Sequence, residues 1–137
     1  MFERILLAVD GSETSLRTVP VTRETAVRFG AEVTVLHVRE HEYSWGSDID
    51  LETPDEATEL VDGIVRQLKE EGVSARPEVR RVVLGLAPQE ILRVAKDIDA
   101  QLIVMGTRGL TDWAGLLLGS VAHKVVHHAT CPVLLVR

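Results

Sequence analysis

The chain has 137 residues, with 21 acidic and 15 basic side chains, a formal net charge of −6, a pI near 5.3 and 45% apolar residues. That length suits a single domain over residues 1–137 whose core needs neither disulfides nor metals, and the acidic balance argues against nucleic acid or an anionic membrane as partner, since both call for clustered Lys and Arg. Neither a signal peptide nor a membrane span is expected, and the one cysteine, Cys131, has no internal partner, so a reducing, cytoplasmic location is expected.

Five consecutive apolar residues, 5–9, follow Arg4 and stop at Asp10, the pattern of a strand covered on both faces. The Asp10-Gly11-Ser12 turn leads into a helix that begins near Ser12 or Glu13 and ends at Gly30, and Pro20 well inside it predicts a kink or a late start. A second strand is expected over residues 33–38, then a long loop over about residues 39–52 that holds Tyr43, Trp45 and the acids Asp48, Asp50 and Glu52. The aromatics suit either stacking on a base or pinning their own loop, and the acids suit a solvated approach to the next helix.

That helix opens on Thr53-Pro54-Asp55-Glu56, a capping box with proline at the first helical position, and runs to about Glu71 before Gly72 ends it. A third strand follows over residues 79–84. Pro88 then opens a helix whose Ile91, Leu92, Ala95 and Ile98 keep helical spacing. A fourth strand over residues 102–105, a last helix from Ser120 burying Val121, Val125 and Ala129, and a fifth strand over residues 133–136 complete the chain. Five apolar strands separated by helices specify an α/β fold: a doubly wound, open, parallel five-stranded sheet with helices on both faces and right-handed crossovers.

Between the fourth strand and the last helix stand Gly106, Gly109 and Gly119, the last followed at once by Ser120. Glycines let backbone N–H groups approach an oxyanion closely, and a hydroxyl and amides at a helix start complete a phosphate-binding loop. Neither G-x-x-x-x-G-K-[ST] nor G-x-G-x-x-G occurs, which excludes the P-loop NTPases and the dinucleotide dehydrogenases. His123, His127, His128 and Cys131 fall close together, but His127 and His128 read as residues suited to a helix C-terminus and Cys131 as a small buried residue, rather than as a metal site.

The spacing Gly106-x2-Gly109-x9-Gly119-Ser120 resembles the ATP-binding signature of the universal stress protein family. The likeness runs from Ile5-Leu6-Leu7-Ala8-Val9-Asp10-Gly11-Ser12 to Cys131-Pro132-Val133-Leu134-Leu135-Val136. It implies strand order 3-2-1-4-5, the adenine nucleotide alpha hydrolase-like arrangement. Order then reverses between the first and fourth strands, where open parallel sheets bind ligands, and where Asp10 and Gly106 converge.

The resemblance also implies the ligand and its contacts. Ala8, Val9 and Asp10 would meet base and ribose, and Val38 would offer its backbone to the adenine edge. Met105, Gly106, Arg108 and Gly109 would line ribose and phosphates, and Gly119, Ser120 and Val121 would receive the terminal phosphates. Asp10 equally suits capping the first helix through its own turn.

Arg108 is the loop's one cation, and with a helix dipole of roughly +0.5 it offsets only part of a triphosphate's charge, so Mg²⁺ held by phosphate oxygens and water is expected. Asp112 and Trp113 stand where the family's loop often carries basic residues, which keeps ADP and AMP open beside ATP. The resemblance further implies a homodimer through the edge strand from Val133 to Arg137, acting as a nucleotide-dependent stress-response switch on a protein partner the sequence does not identify. No motif residue is a dedicated base for activating water. Binding is therefore expected rather than turnover, with slow Mg²⁺-dependent ATP hydrolysis and a nucleotide-free dimeric scaffold as the alternatives.

Overall fold

A computed structural model describes residues 1–109 and 118–137; Asp112 and Trp113 lie outside them. Parallel strands β1 (Arg4–Ala8), β2 (Glu32–Ser44), β4 (Ser74–Val83), β5 (Leu102–Gly106) and β6 (Val133–Val136) are ordered β4-β2-β1-β5-β6. Counted without the short antiparallel β3 (Ser47–Asp50), this is the expected 3-2-1-4-5 order.

Alternation along the central strands divides the core in two. Ile5, Leu7, Val33, Val35, Leu102 and Val104 face α2 (Thr18–Phe29) and α3 (Pro54–Glu70). Leu6, Ala8, Leu36, Ile103 and Met105 face α4 (Ala87–Asp97) and α5 (Ser120–His128) on the other side. The continuous apolar runs are thus strands buried on both faces.

Local signals set most boundaries. Thr53 Oγ1 accepts from the Glu56 N–H at 3.2 Å and Glu56 returns a carboxylate oxygen to the Thr53 N–H at 3.4 Å, closing the capping box of α3. The expected break near Pro20 falls earlier. The single-turn α1 (Glu13–Leu16) ends at Arg17, and α2 restarts at Thr18 with Pro20 in its first turn, where a missing N–H costs nothing. Gly30, at φ 62°, caps α2 with its N–H on the Ala26 carbonyl.

The long loop over residues 39–52 is not a loop. β2 continues through Ser44, turns at Trp45-Gly46 (φ 54° and 74°) and returns as β3, pairing from Ser44↔Ser47 to His41↔Asp50. Two consecutive positive φ angles are what a two-residue hairpin demands. β4 explains why the strand goes on: it starts at Ser74, five residues before its apolar run, and pairs with β2 as far as His41↔Val83. His41 has β4 on one edge and β3 on the other, so β3 occupies the edge of β2 that β1 takes lower down.

The acids of this segment are paired rather than simply solvated. Arg81 holds Asp48 and Asp50 at 2.8 Å each, and His41 Nδ1 lies 2.5 Å from Asp48. The Arg81 hydrogen bond is the first cause of an Asp48 carboxyl held below its usual range. Tyr43 and Trp45 stand out into solvent, 71% and 100% exposed.

β6 closes the other end of the sheet order. The Ile103 N–H donates to the Pro132 carbonyl at 3.0 Å and the Thr107 N–H to the Val136 carbonyl at 2.9 Å. Among the described residues, no helix is long and apolar enough to cross a membrane.

Candidate functional site

The carboxyl ends of β1 and β5 and the middle of β2, from Leu36 to Glu40, surround a cavity of about 330 Å³. Of the residues singled out in the sequence, Ala8, Val9, Asp10, Val38, Met105, Gly106, Arg108, Gly109, Ser120 and Val121 line it. β1 is flanked directly by β2 and β5, whose crossovers run to opposite ends of the sheet. The strand ends therefore diverge around it and leave the crevice open.

Asp10 takes part in a turn and lines the cavity at once. Its Oδ1 accepts from the Ser12 N–H at 2.9 Å, the turn its sequence suggests, and the residue still lines the cavity. The turn is reinforced because the Asp10 N–H donates to Ser15 Oγ at 3.0 Å while the Ser15 N–H donates to Ser12 Oγ at 3.1 Å. The start of α1 is thereby laced to the end of β1.

Gly106 is a glycine for packing. A Cβ there would meet Thr14 and the Ser15 backbone, so its bare Cα is what lets α1 lie over the end of β5.

Gly119 does not line the cavity. It is buried, its N–H donates to the Thr107 carbonyl at 2.6 Å, and it serves as N-cap of α5 in extended conformation. Ser120 is consequently the first residue of the helix rather than its cap. Exposed Ser120 and half-buried Val121 supply the first-turn amides that have no partner within a helix. Positive helix-end charge, Arg108 and Gly109 meet on this side of the cavity.

The opposite side, beyond β1 toward β2, holds residues the sequence did not single out as a group: His37, Glu40, Leu51 and Glu52. They meet only because the hairpin returns the chain across the end of β1, and no local motif signals that return. His37, 4% exposed, donates Nδ1–H to the Val9 carbonyl at 2.7 Å and contacts the Glu52 carboxylate through Nε2. The Leu51 N–H donates to the Glu40 carbonyl at 3.2 Å, and the Gly85 N–H to the Glu40 carboxylate at 2.7 Å. The site thus has a cationic, amide-rich side and an acidic side with apolar walls from Leu36 and Ile91.

Among the described residues, no three or more His, Cys, Asp or Glu side chains gather where a metal could be held. The His123 and His127 rings stack on the surface of α5 with centroids 6.4 Å apart, and Cys131 is half-buried.

The model of the universal stress protein family matches residues 1–137. The chain belongs to the universal stress protein family. It is similar to universal stress protein YxiE of Bacillus subtilis (strain 168), 33% identical over 151 residues with both chains fully covered. It is 37% identical over 139 residues, again with full coverage of both, to the universal stress protein in the QAH/OAS sulfhydrylase 3′ region of Thermus aquaticus. Among solved structures it resembles the universal stress protein from Archaeoglobus fulgidus in complex with dAMP, with a TM-score of 0.71, 27% identity and coverage of 100% and 98% of the two chains. Membership in the universal stress protein family agrees with the parallel sheet and its strand order.

Proposed function

We propose that this universal stress protein binds an adenine nucleotide in the crevice between β1 and β5, as a nucleotide-dependent switch rather than a turnover enzyme. The observation that carries this reading is the convergence of Asp10, Arg108, Gly109 and the first turn of α5 on one cavity. The dAMP complex of the Archaeoglobus fulgidus relative supports the ligand class.

In this reading Asp10 accepts from ribose hydroxyls, the Val38 backbone meets the adenine edge, and Met105 and Gly106 flank the sugar. Arg108, Gly109 and the Ser120 and Val121 amides hold the phosphates, where the helix end favours negative charge. Gly119 acts indirectly, by capping α5 without a side chain. ATP, ADP and AMP share these contacts. Mg²⁺ would enter on the phosphates, coordinated by their oxygens and water, as magnesium is in nucleotide sites.

Assembly is proposed as a homodimer through β6. Pro132 and Val136 turn their carbonyls to β5, so by alternation Val133 and Leu135 present theirs to the outer edge. Two such edges pair across a two-fold axis.

Replacing Gly119 by Val tests the site, because a branched side chain at the buried cap is expected to shift the first-turn amides proposed to hold the phosphates. Calorimetric titration with AMP, ADP and ATP is expected to show binding by the wild type and none by Gly119→Val, with circular dichroism unchanged. Equal affinity in both proteins would place the ligand elsewhere.

A further inference from the structure

The Val9 carbonyl can only accept, so His37 Nδ1 carries a hydrogen in the 2.7 Å bond between them. In a neutral imidazole Nε2 is then a bare acceptor, yet it contacts the Glu52 carboxylate, another acceptor. Two acceptors in contact repel, so the contact is a hydrogen bond only with one additional proton between His37 and Glu52. The pair is sheltered: the His37 side chain is 5% exposed and that of Glu52 27%.

The pair stands at a particular place. Leu51 and Glu52 join the end of β3 to the Thr53 cap of α3, and both line the cavity. Through His37, Glu52 ties this segment to Val9 at the end of β1, fifteen residues and a whole hairpin after His37. Arg39 adds a weak bond from Nη1 to the Glu52 carbonyl at 3.4 Å. The wall of the cavity on the β2 side is therefore a strap that the His37–Glu52 pair fastens to the end of β1, beside the Leu51 N–H bond to the Glu40 carbonyl.

We propose that His37 and Glu52 are positioning residues, a clasp closed by one shared proton that holds the Leu51–Glu52 wall against the base of a bound nucleotide. This rests on the nucleotide reading above. The clasp makes no contact with the phosphates; it controls how readily the base end of the crevice opens.

The test uses the full chain as wild type, Glu52→Gln and Glu52→Leu, with AMP as probe. Imidazole ¹⁵N–¹H spectra at mildly acidic pH should show a downfield proton at His37 Nε2 in the wild type, absent from both variants. In Glu52→Gln the amide N–H donates to Nε2 of a neutral imidazole, restoring the clasp without the proton. AMP dissociation is therefore expected within about twofold of wild type in Glu52→Gln and about tenfold faster in Glu52→Leu, the cost of one lost hydrogen bond.

A His37 Nε2 without a proton in the wild type, or equal AMP dissociation from all three proteins, overturns the clasp. Absence of AMP binding by the wild type overturns the nucleotide reading and the positioning role with it. Should Glu52→Leu fold poorly, amide exchange at Leu51 in Glu52→Ala decides: faster exchange than in Glu52→Gln supports the clasp, and equal exchange rejects it.

Discussion

Gly106 and Thr14 are in contact only because position 106 has no side chain: a Cβ there would lie 3.1 Å from Thr14 Cγ2 and 3.2 Å from the Ser15 backbone nitrogen. Neither neighbour is the far end of a flexible chain, so relief requires α1 to move. Gly106→Ala is expected to cost about 1–3 kcal/mol of stability, as overpacking does, and to weaken AMP binding by shifting the Asp10 turn. Urea unfolding and AMP titration of the purified variant measure both, and an unchanged midpoint would mean α1 yields freely.

The turn and the proposed ligand contact of Asp10 separate by substitution. Asn keeps an oxygen to accept from the Ser12 N–H and loses only the charge, so Asp10→Asn should stay within about 0.5 kcal/mol of wild-type stability while AMP affinity falls about tenfold, since charged hydrogen bonds are the stronger ones. Asp10→Ala should lose about 1 kcal/mol in addition, because the turn goes too. Calorimetry with AMP beside urea melts decides the matter: undiminished affinity in Asp10→Asn would assign the carboxylate to the turn alone.

A charge on β6 tests the proposed dimer more cleanly than truncation. Removing the strand would also remove the Val136 carbonyl, which holds Thr107, and the Val133 and Leu135 side chains packed on the core. Leu134 is 36% exposed, and lysine there is a common guard against edge pairing. Leu134→Lys should sediment as a monomer with AMP affinity unchanged. A dimer of undiminished stability in analytical ultracentrifugation would place the interface on another surface.

Burial is the main cause of a Cys131 thiol pushed above its ordinary range. The reactive thiolate therefore forms only at higher pH than in an exposed cysteine. The rate of iodoacetamide alkylation plotted against pH should rise later than that of a cysteine peptide, and unfolding in urea should bring the two curves together. An early rise in the folded protein would show the thiol to be solvated.

Residues that act through near neighbours were legible in the chain. Thr53 and Glu56 close their capping box from three positions apart, Gly30 ends its helix, and the apolar runs of β1 and β5 declare strands covered on two sides. Ten of the eleven residues picked out for the site lie on one cavity, because they cluster at strand ends and at one helix start. The eleventh, Gly119, stands next to Ser120 yet points its N–H at Thr107, a partner twelve positions away that no local pattern announces.

The hairpin illustrates the other case. Residues 39–52 carry His, Glu, Asp and Ser with no strong apolar alternation, so a loop was the natural reading. Their strand conformation comes from β4, which pairs along β2 as far as His41, and from Arg81, which holds Asp48 and Asp50 from across the sheet.

Apolar periodicity and caps by themselves determined the α/β class and the succession of elements along the chain, while the glycine spacing carried the likeness to the family, and that likeness named most of the residues lining the crevice. The tertiary structure alone decided that a hairpin roofs the β2 side, that Gly106 is bare to admit α1, and that His37 meets Glu52 over Val9. The reason is physical: helix and turn preferences are settled among residues a few positions apart, whereas a strand's hydrogen-bond partners and a buried side chain's neighbours come from distant chain, and exist only once the sheet has closed.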